Sequence, residues 1–306
     1  MATASKRTWQ RVDGVLLLDK PGGMTSNAAL QSARRLYSAA KAGHTGTLDP
    51  LATGLLPLCF GEATKFSSDL LDADKTYEAE LLFGVTTDTG DAEGAVLQRR
   101  QPQFGRAELE AALLHFRGRI SQIPPMYSAL KRAGQPLYRL ARQGIEVERE
   151  ARVVTINELL LLGFTGDRCR LRVNCSKGTY IRTLAEDIGN ALACGAHLTA
   201  LRRVSVGALQ IADALTLDQL NALSEGDRTH CLLAPDTLLQ TLPAVHLDTA
   251  ATLRFSNGNP VSIAVSIEGR VMATPGKCRV YGDQGLLGLG EFDASGNVHP
   301  RRLVCA

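Results

Sequence analysis

Between Lys75 and Phe83 the chain alternates without a break: Tyr77, Ala79 and Leu81 fall on one face, Glu78 and Glu80 on the other. A period of two is what a strand needs when one face lies in the core and the other in water, so this stretch is a half-buried strand with Tyr77 pointing inward. Upstream, Gly14–Asp19 (GVLLLD) reads as a buried strand. Lys20–Ser26 is a turn leading to a helix over Asn27–Lys41, capped by Thr25 or Ser26. Gly43–Lys65 is rich in Gly, Thr and Pro and has little periodicity, which predicts a long irregular segment; such loops in compact domains usually carry function. Downstream, Ala107–Phe116 is an amphipathic helix, and Val153–Phe164 and Cys169–Ser176 are strands. Thr179 caps a helix running to about Ala193, which puts Arg182 in its first turn, and Leu201–Val206 returns as a strand.

At 306 residues, 44% hydrophobic and 21% charged, the chain has material for one large or two unequal domains. A Pro-flanked stretch, Ala234–Pro243, divides residues 1–243 from a Gly-rich tail. There, turn signals at Asn257-Gly258, Asp283-Gln284-Gly285 and Ser295-Gly296-Asn297 predict a small, mainly β second domain over Ala244–Ala306. Seven scattered cysteines without a C-x-x-C pair argue against a disulfide framework and a zinc cluster. The first residues, MATASKRTWQR, lack an apolar core, and no apolar run approaches the roughly 20 residues a spanning helix needs. A cytoplasmic protein without a membrane segment is expected.

The net charge of +3 is unremarkable, but its distribution is not. Phe116–Ile145 contains no Asp or Glu, yet carries Arg117, Arg119, Lys131, Arg132, Arg139 and Arg142 with Tyr127 and Tyr138 among them. Cations neutralise phosphates and tyrosine faces receive unstacked bases, so the mixture suits a nucleic-acid strand as well as it suits an ordinary solvated surface. Acids dominate Asp72–Glu93 and Gly207–Val298, and such polarity implies one binding face.

No phosphate loop, dinucleotide fingerprint or nucleophile elbow is present, and the six histidines lack ligand-like spacing. No metal or cofactor is expected, and the candidate nucleophile that remains is a carboxylate. Asp88–Gly94 superficially suggests a calcium loop, but its spacing is wrong and it reads as an acidic turn. Asp49 precedes Pro50, which biases it toward extended backbone, and nearby glycines let that loop approach a ligand. Asp-Pro is also a common turn pair. Arg182 is a plausible charge partner for such a carboxylate. On local pattern His44 is a loop histidine before it is a base or a stacking side chain, Tyr77 and Tyr180 are core aromatics, and Leu201 is core.

The string Gly43–Pro57 (GHTGTLDPLATGLLP) closely resembles the bacterial tRNA pseudouridine synthase B family. Four further blocks agree in order: Gly14–Ser26 (GVLLLDKPGGMTS), Met126–Lys131 (MYSALK), Ser176–Asp187 (SKGTYIRTLAED) and Leu201–Gly207 (LRRVSVG). The likeness weakens from Ala208 onward, although the tail is similar to the family's C-terminal PUA RNA-binding domain.

The resemblance implies an α+β fold: a pseudouridine synthase catalytic core around a central, mainly antiparallel sheet, an inserted RNA-contacting segment at about 124–152, and the small β-rich tail. It implies an isomerase that detaches the uracil of one T-loop uridine (position 55) of tRNA and rejoins it through carbon, without cofactor or metal. By the same match Asp49 is the nucleophile, Arg182 its ionic partner, and Tyr77 the tyrosine packing on the base. Tyr180 and Leu201 line the uracil pocket, His44 fills the gap left by flipped bases, Lys131 faces phosphate, and Lys20 joins the substrate-binding set. Extruding a base costs a few kcal/mol and calls for aromatic and apolar walls, which these residue types supply. The expected partner is the tRNA T-arm, with the protein a monomer. Two other readings share the motifs: a tRNA-folding factor whose chemistry is secondary, and a synthase acting on ribosomal or small nuclear RNA.

Overall fold

The computed structural model describes residues 8–132, 134–262 and 275–305. Its centre is one sheet whose main path runs Gly14–Lys20, Thr53–Phe60, Ala196–Val206, Lys75–Phe83, Arg168–Cys175, Arg152–Thr165, Gly118–Gln122. Every neighbouring pair on that path is antiparallel except Thr53–Phe60 with Ala196–Val206, which meet in parallel at Arg202–Thr53 and Arg203–Gly54. The fold is α+β, as the resemblance implied.

Lys75–Phe83 is a strand with the expected bounds, central in the sheet. Its outward Glu78 and Glu80 pair with Arg172 and Arg168 of the adjacent strand, while Ala79 and Leu81 join the core. The helices Ser26–Leu36, Arg106–Leu114 and Ile181–Ala191 contribute Ala29, Leu30, Ala33, Leu109, Leu113, Ile181, Leu184 and Ile188 to that same core.

Three expectations need correction. Gly43–Lys65 is not one irregular segment, because Ala42–His44 and Thr53–Phe60 are strands. Residues 54–60 are buried throughout, so both faces are apolar and no alternation marks the strand. The first helix ends at Leu36 rather than Lys41: Ser38 has φ of 50°, and Tyr37 turns its ring onto Phe60 at 5.1 Å. Thr179 does not cap the following helix, since its hydroxyl donates to Ser176 O. Tyr180 holds the N-cap position without a side-chain cap bond.

The tail forms a five-stranded sheet in the order Ala244–His246, Gly276–Gly282, Gly285–Phe292, Asn297–Leu303, Val261–Ser262, with the helix Thr249–Ser256 packed on it. Its own core gathers Val245, Phe255, Cys278, Val280 and Val298. Leu289 instead joins the cluster formed by Val15 and Leu55 of the large sheet and Phe66 of the turn of helix that follows Thr53–Phe60. Cys59, Cys169, Cys175, Cys194 and Cys278 are buried free thiols. Among the described residues, no helix is long and apolar enough to cross a membrane.

Candidate active site

The loop carrying Asp49 is fixed from three directions. Ser26, first residue of its helix, both donates to Leu48 O (3.0 Å) and accepts from Leu48 N–H (2.8 Å). Lys20 is fully buried, and its Nζ donates to Pro21 O, Met24 O and Pro50 O at 2.8, 2.6 and 3.4 Å. Arg203, only 1% exposed, donates through Nε to Leu55 O (2.8 Å) and through a terminal nitrogen to Gly46 O (3.0 Å). Apart from the bond to Leu55, which lies in the following strand, these bonds hold backbone groups of the irregular stretches around Pro21–Met24 and Gly46–Pro50, which is how an irregular segment stays rigid beside a cavity.

Lys20 was expected to touch substrate, and its place here is different. With its ammonium turned onto three carbonyls it braces the turn and the Asp49 loop. Burial lowers its pKa to about 8, and the Asp49 charge works against that drop.

Asp49 and Arg182 meet as expected, Arg182 Nε lying 3.0 Å from Asp49 Oδ2. Arg182 is 5% exposed, and its two terminal nitrogens donate to Thr89 O (2.8 Å) and Tyr127 O (2.7 Å). Each of the three guanidinium nitrogens therefore has a partner, and Nε is the one that meets the carboxylate. Asp91, which sequence reading left in an acidic turn, has Oδ2 at 3.7 Å from the same Nε. Its Oδ1 accepts from the Thr89 hydroxyl (2.6 Å) and Glu93 N–H (3.1 Å), so the turn that supplies Thr89 O is held by Asp91 itself.

Although 41% of the Asp49 side chain is open, the surrounding protein displaces enough water to push its pKa above 3.8. Arg182 opposes that rise, and the nearby Asp91 charge adds to it.

A cavity of about 310 Å³ opens in front of this pair, lined by Asp49, Tyr77, Tyr180, Leu201, Arg182 and Arg203 among others. Tyr77 stands opposite Arg203 across the strand pair, and burial raises its phenol pKa despite that cation. Tyr180 is held by Gln122, a buried residue that sequence reading missed: its Oε1 accepts from Tyr180 N–H (3.1 Å) and its Nε2 donates to Tyr180 O (3.4 Å). Leu201 is buried opposite Ala79.

His44 lies elsewhere, in an adjoining cavity of about 590 Å³ that shares Asp49, Ser128 and Arg182 with the first. Its Nδ1 is buried without a hydrogen-bond partner, and burial together with the Arg203 charge lowers its pKa. Lys131 is on an exposed two-stranded hairpin, Lys131–Arg132 with Gln135–Pro136, followed by the short helix Leu137–Ala141. It lines a separate groove with Arg132, Arg149 and Arg152 and does not enter either cavity at Asp49.

The arrangement offers one carboxylate oxygen beside a guanidinium, facing a chamber with aromatic and aliphatic walls. Asp88 and Asp91 spend carboxylate oxygens on donors within their own turn, and no group of three or more potential metal ligands occurs among the described residues. Such a site favours covalent carboxylate chemistry on a flat, weakly polar ligand.

Comparison with known proteins agrees. Residues 34–181 match the model for the TruB family pseudouridylate synthase N-terminal domain; residues 182–240 match the tRNA pseudouridylate synthase B C-terminal domain and 243–304 the pseudouridine synthase II TruB C-terminal model. The tRNA pseudouridine synthase B of Dechloromonas aromatica (strain RCB) is 60% identical over 98% of both chains. That of Aromatoleum aromaticum (strain DSM 19018 / LMG 30748 / EbN1) is 56% identical over 96% of this chain and 93% of its own. In fold, the chain resembles one in an H/ACA RNP bound to a substrate RNA containing 2'-deoxyuridine, with TM-score 0.73 and 22% identity, covering 96% of this chain and 85% of that one. With near-complete coverage at such identity, and with the aspartate–arginine pair at a base-sized chamber, the chain belongs to the TruB family of pseudouridylate synthases.

Proposed function

We propose that this protein isomerises the T-loop uridine (position 55) of tRNA to pseudouridine, with Asp49 as nucleophile and Arg182 as its ionic partner. The observation that carries the reading is the 3.0 Å contact between Arg182 Nε and Asp49 Oδ2 at the mouth of the chamber formed with Tyr77, Tyr180 and Leu201. A uracil turned out of its stack would lie against Tyr77 and Leu201, with Tyr180 at the wall, and Asp49 would reach the bond to be broken. Substrate and product are isomers, so the reaction consumes no electron, phosphate or water. His44, in the neighbouring cavity, is suited to the space vacated within the RNA loop. Lys131 and the other cations of the 124–152 insertion meet phosphates.

We take residues 1–243 as the catalytic unit and 244–306 as a PUA-like RNA-binding unit, a division supported by the tail's own sheet and core. The protein acts as a monomer in the cytoplasm. The basic hairpin and the tail also favour a second role, assistance to tRNA folding.

Incubating the protein with unmodified tRNA and mapping pseudouridine by mass spectrometry tests the reading. Product at the T-loop uridine is expected, and its absence with folded protein overturns it. Asp49→Asn should abolish turnover while leaving RNA affinity nearly unchanged; a cell lacking the endogenous activity and given this variant separates folding assistance, which would survive, from catalysis.

A further inference from the structure

One acidic side chain behind the site is unused by the reaction. Glu186 lies one turn beyond Arg182 on the helix Ile181–Ala191, half-buried, and its carboxyl has no hydrogen-bond or ion-pair partner among the described residues. It bears on Gly90: a Cβ built there would stand 2.7 Å from Glu186 Oε1 and 3.5 Å from Arg182 Cβ. Gly90 has φ of 73°, so glycine meets both the backbone and the space requirement. On either side of it are the two groups that meet the guanidinium from this turn, Thr89 O and Asp91.

Four charged groups act on Glu186. Asp91 faces it from the turn and Arg149 from the end of the basic insertion, while Arg182 and Asp187 share its helix. Burial is the largest influence; with Asp187 and Asp91 adding to it and Arg182 and Arg149 opposing it, the pKa rises from 4.5 to about 7.

We propose that Glu186 is a positioning residue: by bearing on Gly90 it sets where the turn presents Thr89 O and Asp91 to Arg182, and its charge competes with Asp49 for that guanidinium. The inference rests on the proposed function. Neutral Glu186 leaves Arg182 to Asp49. Ionised, it attracts Arg182 and repels Asp91, and both effects loosen the grip on the nucleophile. The rate at saturating RNA then falls as pH rises through neutrality, independently of the acid limb that belongs to Asp49.

The test is single-turnover pseudouridine formation on an unmodified T-arm hairpin, with full-length protein, across neutral pH. The wild-type rate constant should fall about threefold or more as pH passes through 7. Glu186→Gln should remove that step while RNA affinity stays within about twofold. Glu186→Asp, which withdraws the carboxyl by one methylene but keeps its charge, should move the step to lower pH, and it decides the matter should the glutamine variant fail to fold. An unchanged step in either folded variant overturns the inference while leaving the proposed activity standing; no pseudouridine from the wild type overturns the activity itself.

Discussion

Gly54 lays its Cα directly on the backbone of Arg203: a methyl group at Gly54 would stand 2.3 Å from Arg203 O and 2.8 Å from Arg203 N. This is where the sheet's short parallel pairing joins the strand after the Asp49 loop to the strand bearing Leu201. The same arginine binds Gly46 O and Leu55 O, so one residue fixes both ends of the loop.

Gly54→Ala meets backbone rather than a movable side chain, at φ of 100°. Overpacking and left-handed strain together should cost about 3 kcal/mol or more, read as a fall of roughly 5 °C in Tm. An unchanged Tm would mean that the two strands separate freely.

Arg182→Lys keeps the charge and loses the fork. One ammonium cannot meet Asp49, Thr89 O and Tyr127 O in their present geometry. The single-turnover rate should drop about 100-fold or more, the penalty of misplacing a reacting group by an ångström, with RNA affinity within a few-fold of wild type. Equal loss in rate and affinity would instead indicate that Arg182 serves binding.

How far this was legible in sequence depends on which residues meet water. Lys75–Phe83 declares itself because Glu78 and Glu80 are solvated on one face, whereas Thr53–Phe60 hides because both of its faces are covered. The resemblance singled out Asp49 and Arg182, but their contact spans 133 positions that no local pattern bridges. Asp91 sat in a turn whose composition explained it too easily, and Gln122 had no signal beyond an apolar neighbourhood. Lys20 shows the converse: the resemblance put it in the substrate-binding set, and its burial with three carbonyl partners places it as a brace of the loop.

As the proposed nucleophile Asp49 must be ionised to act, and its pKa lies above 3.8, chiefly through burial. The rate should therefore fall as pH drops through a value higher than that of an ordinary aspartate. Asp91→Asn removes a like charge while its amide oxygen can still accept from Thr89 and Glu93. The sign follows: loss of the charge lowers the Asp49 pKa, and the acid limb moves to lower pH. A limb that moves upward, or stays, would separate Asp91 from the electrostatics of the nucleophile.

The basic insertion makes a prediction that separates affinity from chemistry. Lys131 is exposed on its hairpin, and Arg142 lines the cavity that contains His44. If both meet phosphates, the logarithm of RNA affinity falls linearly with the logarithm of salt concentration, with a slope set by the number of contacts. Replacing both by alanine should reduce the magnitude of that slope by about 1.4 to 1.8, at roughly 0.7–0.9 per phosphate contact. The rate at saturating RNA should be nearly preserved, because neither side chain lines the chamber formed with Tyr77, Tyr180 and Leu201. Affinity measured by filter binding over a salt series decides it: a slope equal to wild type would take these cations off the phosphate path.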